Sequence, residues 1–141
     1  MKHFLFATAL ALLLTSGMAA GPLSAAQPST ELITTLPGEA LPISDYYNQN
    51  VYDTRDNKIG EVNDLLLDNG GKVNAVIIGV GGFLGVGEKD VAVPFNSLKM
   101  AEKDGDAYLV MNTTKEALEG APGYTYDREN MRWMPAKKRA G

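Results

Sequence analysis

Five glycines crowd one stretch of this 141-residue chain: Gly79, Gly81, Gly82, Gly85 and Gly87. Closely spaced glycines let a backbone wrap a phosphate, so nucleotide chemistry is the first possibility to test. The dinucleotide fingerprint needs glycines at relative positions 1, 3 and 6. Counted from Gly79 the sixth position is Leu84, and from Gly85 it is Asp90. A Walker loop needs Gly-Lys followed by Ser or Thr, and Glu88-Lys89-Asp90 follows here instead. The residues that follow alternate like a strand, so no helix N-terminus is offered to an anion. The cluster reads as a hairpin loop between two strands. Phe83 and Leu84 at its centre are the candidate partner-binding residues: they either tuck under the domain as a plug or stand out as an anchor for a partner.

Carboxylates are the second chemical resource. Asp53, Asp56, Glu61, Asp64, Asp68, Asp90, Asp104 and Asp106 punctuate the middle of the chain. A calcium loop needs Asp-x-Asp-x-Asp-Gly with a Glu six residues beyond, and neither Asp53-Thr54-Arg55-Asp56-Asn57 nor the stretch from Asp64 to Gly70 supplies it. Turn and solvation roles account for these side chains. A carboxylate-dependent metal-binding protein is the alternative they leave open. The chain has no Cys, and its one His is His3. Loss of the N-terminus leaves neither, which removes disulfides, thiolate and imidazole ligands, Cys nucleophiles and Ser-His-Asp triads. No catalytic residue, metal site or cofactor is expected.

The third resource is basic. Residues 120–141 carry Arg128, Arg132, Lys137, Lys138 and Arg139 against two acids, while residues 42–119 are net acidic. Interleaved with Tyr124, Tyr126 and Trp133, these charges are a candidate electrostatic contact for a partner or an anionic lipid surface, and a solvated tail otherwise. The whole-chain charge of −4 argues against nucleic acid, whose phosphates need a basic surface.

The elements that must position these residues are short. Residues 50–53, 59–68, 73–80, 90–95 and 107–111 read as strands. The turn Asp68-Asn69-Gly70-Gly71-Lys72 separates the second from the third. Residues 97–101 read as one helical turn. A short helix capped by Thr113 or Thr114 stops at Gly120, before Pro122. Five or six strands with turns every 8–12 residues predict an all-β, antiparallel small barrel with one short C-terminal helix.

The N-terminus reads as an export signal. Lys2 precedes an apolar run over residues 4–14, broken only by Thr8, and Ser24 and Ala26 suit a signal-peptidase site. Eleven residues rise only about 16 Å as a helix, short of a bilayer core of about 30 Å. The expected organisation is a signal peptide over 1–26, a Pro/Ser/Thr-rich disordered linker over 27–41, a folded domain over 42–124 and a basic tail over 125–141. The expected location is the periplasm.

The run from Ile59 to Asp68, then Lys72 to Ile78, then Gly79-Val80-Gly81-Gly82-Phe83-Leu84-Gly85-Val86-Gly87 through Pro94-Phe95, resembles the PRC-barrel domain family. Thr114-Lys115-Glu116-Ala117-Leu118 before Ala121-Pro122-Gly123-Tyr124 is similar to its closing helix and turn. The glycine run resembles secreted bacterial members. The family is named for the H subunit of the purple-bacterial photosynthetic reaction centre and includes the C-terminal domain of a ribosome maturation factor. The resemblance implies a small antiparallel barrel that docks other proteins, and it carries over no catalytic residue. The expected function is therefore a non-catalytic interaction module with a protein partner in the envelope. The alternatives are a peripheral membrane protein using the basic tail and the carboxylate-dependent metal binder.

Overall fold

A computed structural model describes Gly17, Gly21 and residues 30–82 and 87–137. The chain divides into two units, Met1–Leu36 and Pro37–Gly141. The expected signal peptide lies outside the described residues apart from two glycines. Residues 30–36, the described end of the first unit, are exposed and form neither helix nor strand. No helix among the described residues is long and apolar enough to cross a membrane.

Among the described residues the second unit is built on eight strands and one α-helix. They are β1 (Asn50–Tyr52), β2 (Lys58–Leu67), β3 (Val73–Val80), β4 (Lys89–Pro94), β5 (Leu98–Lys103), β6 (Asp106–Met111), α1 (Lys115–Gly120), β7 (Gly123–Asp127) and β8 (Arg132–Pro135). They form one sheet in the order β5-β6-β1-β2-β3-β4-β7-β8. The all-β expectation holds, with four differences. There are eight strands where five or six were expected. The sheet is not closed, and one pair is parallel, Val51 of β1 lying opposite Leu109 of β6. Residues 97–101 are not a helical turn: a single 3-10 turn, Phe95–Ser97, leads directly into β5. Leu98 and Met100 alternate toward the core there, and six residue pairs with β6 hold the strand extended.

Turn chemistry sets the strand ends. Asp68 accepts the backbone N–H of Gly70 (2.8 Å) and of Lys72 (3.1 Å), closing the β2–β3 hairpin over a left-handed Gly71. Asp53 accepts N–H groups of Arg55 and Asn57 and the Asn57 side-chain amide, all within 2.9 Å, and turns β1 into β2. Thr114 caps α1 by accepting the Ala117 N–H.

The core lies on one face of the sheet. Val62, Val76, Ile78, Val80 and Val91 of β2–β4 join Leu98, Leu109 and Met111 of β5 and β6, and Leu118 of α1 covers the cluster. In the sheet order β4 and β6 stand four strands apart, about 19 Å if the sheet were flat. One shared cluster therefore requires the sheet to roll around it. Each fully buried aliphatic side chain there contributes roughly 1.5–3 kcal/mol.

Candidate functional site

The other face of the sheet is where polar and aromatic side chains gather. In register, Glu61 of β2 lies opposite Gly79 of β3, Gly79 opposite Asp90 of β4, and Asp90 opposite Tyr124 of β7. Val62 pairs with Ile78 and Asp64 with Ile77, so Asn63 is an extra, bulged residue. A bulge interrupts the alternation of side chains and re-aims its own. Asn63 and Asp64 consequently serve the same face, although they are neighbours in sequence. The Asn63 Nδ2 donates to Glu88 Oε1 (2.6 Å) and to Asp90 Oδ1 (2.8 Å), drawing two carboxylates onto one amide. Gly79 leaves room for them: a Cβ there would collide with the Glu88 carboxylate and the Asn63 amide. Burial pushes the Asp90 carboxyl above its ordinary pKa, the Glu88 charge adds to the rise, and the Asn63 bond opposes it.

The β7–β8 hairpin covers part of this face. The Trp133 indole donates its Nε1–H to Asp64 Oδ2 at 2.7 Å. Trp133 sits on β8 and Asp64 on β2, four strands away in the sheet order, about 19 Å in a flat sheet. No tryptophan side chain bridges that span. The hairpin must curl back over the outer face, opposite in sense to the roll that encloses the core. Ile77 fits this description. It points to the outer face and is fully buried, yet it stands apart from the main core cluster.

Tyr126 packs against Trp133 with ring centroids 5.5 Å apart. These two rings and Tyr124 line a groove of about 810 Å³ that also reaches Glu88 and Asp90. Lys89 and Lys137 border it as well. The Lys89 ammonium is turned to the end of α1, where it donates to the Glu119 carbonyl at 2.6 Å.

The residues singled out in the sequence are placed unevenly. Phe83 and Leu84 lie outside the described residues. The loop that carries them is entered through Gly81 and Gly82 and left through Gly87, all three left-handed, with φ of 74°, 73° and 77°. Arg128 lies in the β7–β8 turn and Arg132 begins β8, whereas Lys137 follows the other end of that strand. The three described cations are thus divided between two ends of the hairpin rather than gathered. Lys138 and Arg139 lie outside the described residues. The stretch 125–137, read as tail, contributes the end of β7 and all of β8; cross-strand pairing of Tyr126 with Trp133 makes it part of the sheet. Among the carboxylates, Asp53 and Asp68 have the expected turn roles, and Asp56 pairs with Lys103 at 2.7 Å. Among the described residues no group of three or more acids or imidazoles is placed to hold a metal.

Sequence reasoning missed the meeting of Asn63, Glu88 and Asp90 and the reach of Trp133 to Asp64. One signal was present. Asn63-Asp64 puts two polar residues in succession between Val62 and the apolar run Leu65-Leu66-Leu67 of one strand, which is how a bulge reads.

The fold and its polar outer face define a small, mostly β domain built on one open, rolled sheet. The PRC-barrel domain model matches residues 38–118, more than half of the chain, and the chain belongs to that family. No curated protein gives a significant match. The match ends at the helix, so the β7–β8 hairpin and its aromatic residues lie beyond the matched residues.

Proposed function

We propose that this protein is a secreted bacterial PRC-barrel protein that works as a non-catalytic docking module in the envelope. Membership of the family supports the barrel as a docking scaffold. The charged start, short apolar run and small-residue site of residues 1–26 support export. The observation that carries the docking reading is the aromatic groove on the folded-back hairpin. Tyr126 there is 43% exposed although its ring packs at a tilt against Trp133. Aromatic side chains left accessible in a shaped groove are a mark of interaction sites.

In-cell photo-crosslinking tests this reading. A photoreactive residue at position 126 should give one discrete, saturable adduct, and the same residue at position 47, exposed but distant in the sequence, should not. A probe at position 83 asks whether the glycine loop joins the same contact. Recovery of the chain from the periplasmic fraction with its N-terminus at Gln27 is expected. Cytoplasmic retention with Met1 intact overturns export, and equal labelling from positions 126 and 47 overturns the groove as the contact.

A further inference from the structure

Glu88 and Asp90 share a single amide donor, and the four ion pairs among the described residues include neither. Both line the same groove as three aromatic rings. Lys89 does not neutralise them. It lines the groove too, but its ammonium is engaged by the Glu119 carbonyl and it forms no ion pair with either acid among the described residues. Lys137 borders the groove from beyond β8. The result is a groove lined by aromatic rings together with two carboxylates held side by side on one amide.

Charge and shape complementarity then name the occupant. Aromatic faces attract cations and pack well on aliphatic or guanidinium surfaces. A carboxylate pair adds charge-assisted acceptors for the same group. We propose that the groove docks an arginine-bearing segment of a partner protein, the side chain lying across Tyr124, Tyr126 and Trp133 and its guanidinium reaching Asp90 and Glu88. This rests on the docking reading and adds the chemistry of the partner. Arginine fits better than lysine because its planar head both stacks on a ring and bonds two acceptors.

Trp133 is the sole tryptophan of the chain, so its fluorescence reports the groove directly. The probes are capped hexapeptides alternating glycine with arginine, with lysine or with glutamate, titrated into the chain lacking residues 1–26. The arginine peptide should bind saturably and more tightly than the lysine peptide, with no saturable signal from glutamate. Glu88→Gln with Asp90→Asn should weaken arginine binding tenfold or more, as should Tyr126→Ala, whose exposed ring is removable without touching the core. Glu102→Gln with Glu116→Gln removes the same charge from exposed sites outside the groove and should change binding less than twofold. Equal losses in the two charge pairs, binding of the glutamate peptide, or no saturable binding of the arginine peptide each overturns the proposal. A position-126 adduct that survives in cells with Glu88→Gln and Asp90→Asn sinks the arginine assignment and leaves the docking reading standing.

Discussion

Asp53 and Asp90 are both withdrawn from bulk water to some degree, and their surroundings push them in opposite directions. Hydrogen bonds from the Asn57 side chain and backbone hold the Asp53 carboxyl below its ordinary value, with Arg55 helping and burial opposing. Asp90 has one amide donor, shared with Glu88, and burial raises it. Each shift makes the stability of the fold depend on pH. A lowered carboxyl stabilises the fold above the unfolded value of 3.8 and loses that stabilisation as pH falls through its folded value. A raised carboxyl does the reverse: its ionisation costs stability, and the cost grows as pH rises from 3.8 through the folded value. Asp53→Asn should therefore weaken the protein at pH 7 and much less at pH 3. Asp90→Asn, which keeps an acceptor for Asn63, should be at least as stable as the parent at pH 7, with that advantage gone at pH 3. Urea unfolding at the two pH values checks both. A large loss for Asp90→Asn at pH 7 would contradict the account.

At the scale of elements, β2 decides the most. Two bulges break it: Ile59 is extra where Val51 pairs with Gly60, and Asn63 is extra where Val62 and Asp64 pair with Ile78 and Ile77. The first needs Gly60. A Cβ at that position would stand 2.6 Å from the Ile78 Cγ2 and 2.8 Å from the Gly79 carbonyl oxygen. Neither neighbour yields, because one is core and the other is backbone. Gly60→Ala should cost about 1–3 kcal/mol through overpacking. Gly71→Ala meets no atom within 4 Å but must keep a φ of 79°, and should cost about 1 kcal/mol. Equal urea midpoints for the two variants would remove close packing as the reason for Gly60. Most strands were legible from their apolar residues, the continuous apolar run of β3 above all. β5 was not, since Leu98 and Met100 give only two apolar points and pairing with β6 decides the rest. β8 was hidden in the same way by the charges around it.

In the whole molecule the sheet turns both ways, around the core at one end and back over its outer face at the other. The two ends are unequally secured. Six residue pairs join β3 to β4, whereas two join β4 to β7. The Trp133–Asp64 hydrogen bond is the tie that returns the hairpin to β2. Weakly secured elements open below the global unfolding free energy. Backbone amides of β7 and β8 should exchange with solvent at least about a hundredfold faster than those of Val76, Ile77 and Ile78. Trp133→Phe keeps a ring against Tyr126 but removes the donor, and should speed hairpin exchange about fivefold, equivalent to about 1 kcal/mol, with β3 unaffected. Hydrogen exchange followed by NMR measures both. Uniform protection across β3 and β8 would show that the hairpin is an integral part of the core.

What the amino-acid sequence determined alone was local. Asp68-Asn69-Gly70-Gly71 makes its turn, Thr114 caps its helix, and the apolar run of β3 buries itself, because each depends on neighbours a few residues away. The candidate groove is not local. Asn63 meets Glu88 and Asp90 across 25 and 27 residues, and Trp133 meets Asp64 across 69. Those contacts depend on the bulge that places Asn63 and Asp64 on one face and on the curl that brings β8 over β2. Both are outcomes of packing two faces of one twisted sheet, and no short-range pattern of residues encodes them.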